Sequence, residues 1–348
     1  MEDTLPVCKK ISPELSGRLP VKILVTGSRG KSSMVRLLTA VLADAGLAAA
    51  GRITGVLPRE LLAGRENLIL RAGPGSVGEM RWWLRTLPSG TEGIVLENSA
   101  VAPSLQHLAW HWFGPSCSVL TNVRSDHEDA WGKGEEAAAR VLCLGIGGGP
   151  VILPESVAAK RAVADLLGAR GCELRPCPDG RDFRRTHLSL VKGVCGLLGL
   201  DAKRALEAAQ RLPPDLADFQ VFSEGGGRLA SAFSANDPQS ALDLFRETGW
   251  KRGETTVLFN SRQDRSARLK AFRKILSDTR WKRIVVTGSR PFPLPRGAEF
   301  LPIKSPEELR TFISSEGRVF GCGNVAGIPL EYLMEKRGDL RRREERVE

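Results

Sequence analysis

Short apolar runs alternate with amphipathic stretches along most of this chain. Apolar runs that read as strands occur at Lys22–Val25, Ile94–Glu97, Cys117–Thr121, Val151–Leu153, Arg228–Phe233, Thr256–Asn260, Arg283–Thr287 and Arg318–Gly321. Each is short and nearly continuous, the pattern of a strand buried on both faces. Between them, apolar residues recur at helical spacing. Helices are predicted over Ser33–Ala45, Val77–Thr86, Glu135–Leu144, Ser156–Leu167, Leu188–Leu198, Ala202–Leu212, Pro238–Glu247, Ala267–Ser277 and Pro306–Ser314. This alternation predicts an α/β fold with mainly parallel sheets, and it puts reactive groups at the carboxyl ends of strands. The proline-marked break Arg211-Leu-Pro-Pro-Asp215 divides the chain into a first domain, 1–215, and a smaller α/β domain, 216–335, with a basic tail, 336–348. Glu224-Gly-Gly-Gly227 reads as a hairpin or strand entry.

Composition narrows the class. The chain has 348 residues, 42% hydrophobic and 26% charged, enough for two domains with real cores. No apolar run reaches the ~18–20 residues that span a bilayer, and the N-terminal segment lacks a secretory h-region, so a cytoplasmic protein is expected. Seven cysteines at irregular spacing, with no C-x-x-C pair, read as reduced thiols and not as a disulfide frame or zinc site. The net charge of +11 suits an anionic partner. No RNA-binding or zinc-finger signature is present, so nucleic acid is not the expected one. His107 and His111 would share a helical face without the glutamate of H-E-x-x-H and read as core or surface residues; Trp82 and Trp83 read as core or partner contacts.

The densest chemical signal lies in Lys22-Ile-Leu-Val-Thr-Gly-Ser-Arg-Gly-Lys-Ser-Ser33. A strand, a glycine-bracketed turn and a helix opening on Lys-Ser form a phosphate cradle, or P-loop: backbone N–H groups and the helix dipole meet the phosphates. Gly27, Ser28, Arg29, Gly30, Lys31, Ser32 and Ser33 are the candidate contacts, although Val25 stands where the pattern G-x-x-x-x-G-K-[ST] has its first glycine. Lys31 neutralises the β/γ-phosphates in this reading, and Ser32 is a Mg²⁺ ligand. Glu97 ends a buried strand, where a carboxylate needs a cation or donors; beside a P-loop it can hold Mg²⁺. After the next strand, Asn122, Asp126, His127 and Asp129 fall within eight residues and offer a second metal or phosphate site. In the second half, Asn236 and Asp237 could read a base or ribose, and Arg262 and Arg265 could clamp a phosphate or carboxylate. Thr287-Gly-Ser-Arg290 echoes Thr26-Gly-Ser-Arg29 but lacks Gly-Lys-Ser, and reads as a plain βα turn.

Taken together, these segments resemble the Mur ligase superfamily of ATP-dependent amide ligases. Thr26–Ser33 is similar to the family's phosphate loop, Glu97 to its metal-binding glutamate, and Thr121-Asn122 with Asp126-His127 and Asp129 to its T-N-x-x-x-D-H-x-D segment. The closer likeness is to the ligase subunit of poly-γ-glutamate (capsule) synthesis. It is carried by Ser28–Ser32, Thr121–Asp129, Ala235–Ser240, Asn260-Ser-Arg-Gln-Asp-Arg265 and Gly321-Cys-Gly-Asn324. No lysine lies near Val141, where Mur ligases carry a carbamylated one; the capsule subgroup shares this trait. Asn98-Ser99 and Asp218 depart from the subgroup.

The resemblance implies a P-loop ATPase domain with a parallel central sheet, plus a Rossmann-like C-terminal domain. It implies ATP and Mg²⁺ as cofactors and Lys31, Glu97 and His127 as catalytic residues, with Ser32, Glu97 and His127 on metal. Asn122, Asn236, Asp237, Arg262, Asp264 and Arg265 would join the loop on the nucleotide. A carboxylate would be activated as an acyl phosphate and joined to an amine. The substrate would be glutamate or an acidic peptide, and the partners small membrane subunits, which would place the chain at the inner face of the membrane; an oligomer is compatible. A small-molecule kinase and a nucleotide-dependent scaffold are the competing readings.

Overall fold

The computed structural model describes residues 20–62, 65–71, 75–216, 218–235 and 237–337. Two compact units divide between Pro213 and Pro214.

In the first unit the elements run β1 (Val21–Thr26), α1 (Lys31–Asp44), β2 (Ala49–Ile53), β3 (Arg59–Leu62), β4 (Arg65–Leu68), α2 (Val77–Thr86), β5 (Gly93–Glu97), α3 (Gln106–Phe113), β6 (Cys117–Leu120), α4 (Glu128–Trp131), α5 (Gly134–Leu144), β7 (Gly149–Pro154), α6 (Glu155–Ala158), α7 (Arg161–Gly168), β8 (Cys172–Cys177), α8 (Phe183–Leu198) and α9 (Ala202–Arg211). The strands form one eight-stranded sheet, ordered β4-β3-β2-β5-β1-β6-β7-β8. From β2 to β8 every pairing is parallel; β3 and β4 add an antiparallel extension.

Alternate side chains along the central strands serve opposite faces, as the pleat requires. Ile23, Val25, Val95, Val119 and Ile152 join α1, α8 and α9 in one core. Leu24, Ala50, Ile94 and Leu96 face α2 and α3, while Leu120, Val151 and Leu153 face α5 and α7. The chain leaves β1 toward β2 on one side and leaves β5 toward β6 on the other. The carboxyl ends of β5, β1 and β6 therefore open on a topological switch point, the place where open α/β sheets bind ligands.

The second unit runs β9 (Gln220–Glu224), β10 (Gly227–Ser231), α10 (Pro238–Glu247), β11 (Thr256–Ser261), α11 (Ser266–Ala271), α12 (Arg273–Leu276), β12 (Arg283–Gly288), β13 (Glu299–Phe300), α13 (Pro306–Glu316), β14 (Arg318–Gly323) and α14 (Ile328–Lys336). Its sheet is ordered β13-β12-β11-β14-β10-β9 and is parallel except for β9. Gly225-Gly226 forms the β9–β10 hairpin turn, with Gly227 opening β10. A separate core of Val257, Phe259, Phe320, Val286, Phe245 and Trp281 fills one face.

Several expectations need correction. Ser156–Leu167 is two helices, broken at Ala159-Lys160, and Ala267–Ser277 breaks at Phe272. Thr287-Gly-Ser-Arg290 is not a βα turn: β12 runs through Gly288, and the chain leads on to β13 without a helix. Of the tail 336–348, the residues beyond 337 lie outside the described part. The six described cysteines are free, and burial pushes the Cys117 and Cys143 thiols up to about 12. No helix among the described residues is long and apolar enough to cross a membrane.

Candidate active site

Three loops leave the carboxyl ends of β5, β1 and β6, and their residues interlock. The turn after β1 needs two glycines. Gly27 has φ +134° and Gly30 has φ +76°; Gly30 caps α1 in the left-handed region. A β-carbon on Gly27 would collide with the Thr121 hydroxyl, and one on Gly30 with the His187 ring. Lys31 begins α1, and its Nζ donates to the Gly27 carbonyl at 2.7 Å, so the side chain curls over the turn. Burial holds the Lys31 ammonium below its usual range, and Glu97 opposes that effect.

The β6 loop is stitched to the turn along its length. Ser28 Oγ donates to the Arg124 carbonyl at 2.8 Å and accepts from the Arg124 amide at 3.0 Å. Asn122 exchanges two bonds with the Arg29 backbone: its Oδ1 accepts from the amide at 3.0 Å, and its Nδ2 donates to the carbonyl at 3.0 Å. Thr121 Oγ1 also donates to the Arg29 carbonyl, at 2.5 Å. Arg29 itself forks onto Asp126, with contacts of 2.7 and 3.3 Å. Asp126 accepts from the His127 amide at 3.0 Å and lies 3.7 Å from its Nε2. Asp129 points to solvent on α4.

Glu97 ends β5 almost fully buried, with 4% of its surface exposed. Its Oε2 accepts from Ser32 Oγ at 3.1 Å and from the Thr54 amide at 3.0 Å. A buried carboxylate and a hydroxyl side by side beneath a phosphate turn form a hard-oxygen donor set that suits a small divalent ion. Among the described residues no group of three or more His, Cys, Asp or Glu side chains converges on one point. Ser32 and Glu97 would give such an ion two oxygen donors.

The second unit carries its own cluster. Asn260 and Asn324 are both 3% exposed and tie β11 to β14. Asn260 Nδ2 donates to the Asn324 and Ala326 carbonyls at 2.7 and 2.8 Å, and Asn324 Nδ2 returns a bond to the Asn260 carbonyl at 2.9 Å. Arg262 forks onto Asp264 at 3.0 and 2.6 Å, and this holds the Asp264 carboxyl below its usual range. A pocket of about 360 Å³ is lined by Asn260, Ser261, Arg262, Thr287, Gly288 and Ser289, with Gly327 at the start of α14 on its wall. Asp237 caps α10, accepting from the Ser240 amide at 2.8 Å. Arg265 is exposed, and Asn236 lies outside the described residues.

Sequence reasoning missed His187. It is nearly buried on α8 and packs behind Gly30. The signal was present: His187, Leu190, Val191 and Val194 follow helical spacing, so the imidazole interrupts an apolar stripe at its first position. The Arg29–Asp126 pair was also missed, because partners 97 residues apart leave no local pattern.

Residues 217–338 match the family described as the poly-gamma-glutamate synthase CapB C-terminal domain. Over nearly its whole length the chain is similar to PGA synthase CapB of Bacillus subtilis (strain 168): 26% identical, covering 91% of this chain and 90% of that protein. Its fold is similar to the folylpolyglutamate synthase/dihydrofolate synthase of Yersinia pestis solved with AMPPNP and a Mn ion, with a TM-score of 0.64, 16% identity and coverage of 94% and 90%. It is also similar to MurF of Acinetobacter baumannii, with a TM-score of 0.63, 12% identity and coverage of 94% and 77%. The chain thus carries a match to the CapB C-terminal domain over residues 217–338, is similar to a PGA synthase along nearly its whole length, and shares the fold of the MurF and folylpolyglutamate synthase structures.

Proposed function

We propose that this chain is an ATP-dependent amide ligase that extends an acidic peptide by glutamate, with Mg²⁺ as the working ion. One observation carries the reading: Lys31, Ser32 and Glu97 stand together under a glycine turn that is bonded to the Asn122–His127 loop. The similarity to a PGA synthase supports a glutamate substrate, and the net charge of +11 suits a polyanionic acceptor.

In the proposed reaction a carboxylate oxygen of the acceptor attacks the γ-phosphorus of ATP. The bond to the β–γ bridging oxygen breaks, and ADP leaves. The amine nitrogen of glutamate then attacks the acyl carbon, phosphate departs with the former carboxylate oxygen, and the amine gives up a proton to water. Phosphoryl transfer asks the protein mainly for positioning and charge neutralisation. The amides of residues 27 and 30–32 and the Lys31 ammonium would receive the phosphates, since the Ser28 and Arg29 amides are given to Asn122. Ser32 and Glu97 would hold one divalent ion and His127 a second, and these ions would supply charge neutralisation on the transferred group. The 360 Å³ pocket in the second unit, with Arg262 on its wall, is of a size to take an amino acid. Arg265, Asp264 and Asp237 are proposed nucleotide contacts, read from the family motif alone.

The test is product analysis by mass spectrometry with ATP, Mg²⁺ and each amino acid in turn. Glutamate-dependent phosphate release with a ladder of oligomers is expected. A stable phosphoester formed without an amine would identify a kinase instead. Lys31→Ala should lower turnover at least ~100-fold, as for other lost transition-state charge contacts; product formation at the parent rate would remove Lys31 from the chemistry.

A further inference from the structure

One side chain reaches both loops that carry the proposed metal ligands. Trp131 ends α4, four residues after His127. The two rings lie 5.1 Å apart between centroids, inclined by 54°. The indole Nε1–H donates to the Val101 carbonyl at 2.6 Å, and Val101 belongs to the segment that follows Glu97. That segment is already fastened at its start. Asn98 Nδ2 donates to the Gln106 carbonyl at 3.1 Å, its Oδ1 accepts from the Ala100 amide at 3.1 Å, and Gln106 Nε2 donates to the Ala100 carbonyl at 2.6 Å. Trp131 fastens the far end.

His127 is the more demanding partner. It is the one non-glycine residue with positive φ among the described residues, at φ 44° and ψ 44°. Residues held in this region persist where their surroundings fix them. Asp126 meets one edge of the imidazole, and Trp131 lies against its ring. A metal-binding imidazole depends on such neighbours for its orientation, and their loss characteristically weakens metal binding while leaving the ligand in place.

We infer that Trp131 is a positioning residue that holds the His127 imidazole and the Glu97 loop in one fixed relation, so that a metal–nucleotide complex meets both as a unit. This rests on the assignment of His127 to metal. The indole does two separable things: its ring braces the imidazole, and its N–H sets where the Glu97 loop ends.

The experiment uses the full chain with AMPPNP and Mn²⁺, counting free Mn²⁺ by electron paramagnetic resonance. A second titration with AMPPNP and EDTA reads nucleotide affinity without metal. Trp131→Phe keeps a ring against His127 and loses the N–H; it should weaken Mn²⁺ binding by about fivefold, the equivalent of one ordinary hydrogen bond. Trp131→Leu loses both and should weaken it by about tenfold or more. Metal-free AMPPNP affinity should stay within roughly twofold in both, because the phosphate turn has its own bonds to the β6 loop. Parent-like Mn²⁺ binding in Trp131→Leu overturns the inference, and so does a parallel loss of metal-free nucleotide affinity. His127→Ala separates the two levels: if it binds Mn²⁺ like the parent, the metal assignment itself fails; if it loses Mn²⁺ while both Trp131 variants do not, only the positioning role fails.

Discussion

Gly30 meets two demands at once. Its backbone sits in the left-handed region, and the space where a side chain would stand is filled by the His187 ring. Gly30→Ala should therefore cost about 2 kcal/mol or more in denaturant unfolding, from backbone strain and overpacking combined, with nucleotide affinity falling further than stability alone explains. His187 adds a pH dependence. Burial lowers its pKa from 6.5 to about 4. Between those values the unfolded chain binds the proton and the folded chain does not, so folded stability falls as pH drops from 6.5 toward 4. The loss amounts to about 3 kcal/mol by the bottom of that window. Urea unfolding across that range should show a shallower pH slope in His187→Gln than in the parent.

At the scale of elements, legibility followed the continuity of the apolar run. The strands at β1, β5, β6, β11, β12 and β14 lie inside their sheets, and their continuous apolar runs announce them. The β2–β3–β4 extension was not visible. Ala49-Ala-Gly-Arg-Ile53 has no strand signature, and Arg59 and Arg52 are buried by ion pairing that no local pattern foretells. The edge strand β8 carries charges and Pro176, which suit an edge and hide a strand. Buried Arg52 pairs with Glu79 on α2, which Arg71 also engages at 2.6 and 2.9 Å. Glu79→Gln leaves the Arg52 charge buried without a counter-ion and should destabilise the first unit by about 3 kcal/mol; Arg52→Met should stay within about 1 kcal/mol of the parent. Chemical denaturation followed by circular dichroism reads both. The site residues were legible one by one, since Glu97 ends a strand and Lys31 and His127 follow strands, but their mutual bonding was not.

Across the whole molecule, each unit has its own sheet and its own core, so ligand effects should be local before they are global. At about 100 times its Kd, a nucleotide should stabilise the protein by about 2.7 kcal/mol. Hydrogen exchange should show the new protection concentrated at residues 26–34 and 121–127, where the turn and the β6 loop share bonds. Unchanged exchange at residues 26–34 and 121–127 would argue against a site at the β5–β1–β6 edge. The close fit of Gly27 against Thr121, with Asn122 serving the Arg29 backbone, also bears on protein engineering. A phosphate turn borrowed from another ligase would arrive with vacancies and bumps that its new neighbour cannot match. Grafts that transplant both segments as a cassette should retain folding and catalysis, whereas single-segment chimeras should lose them.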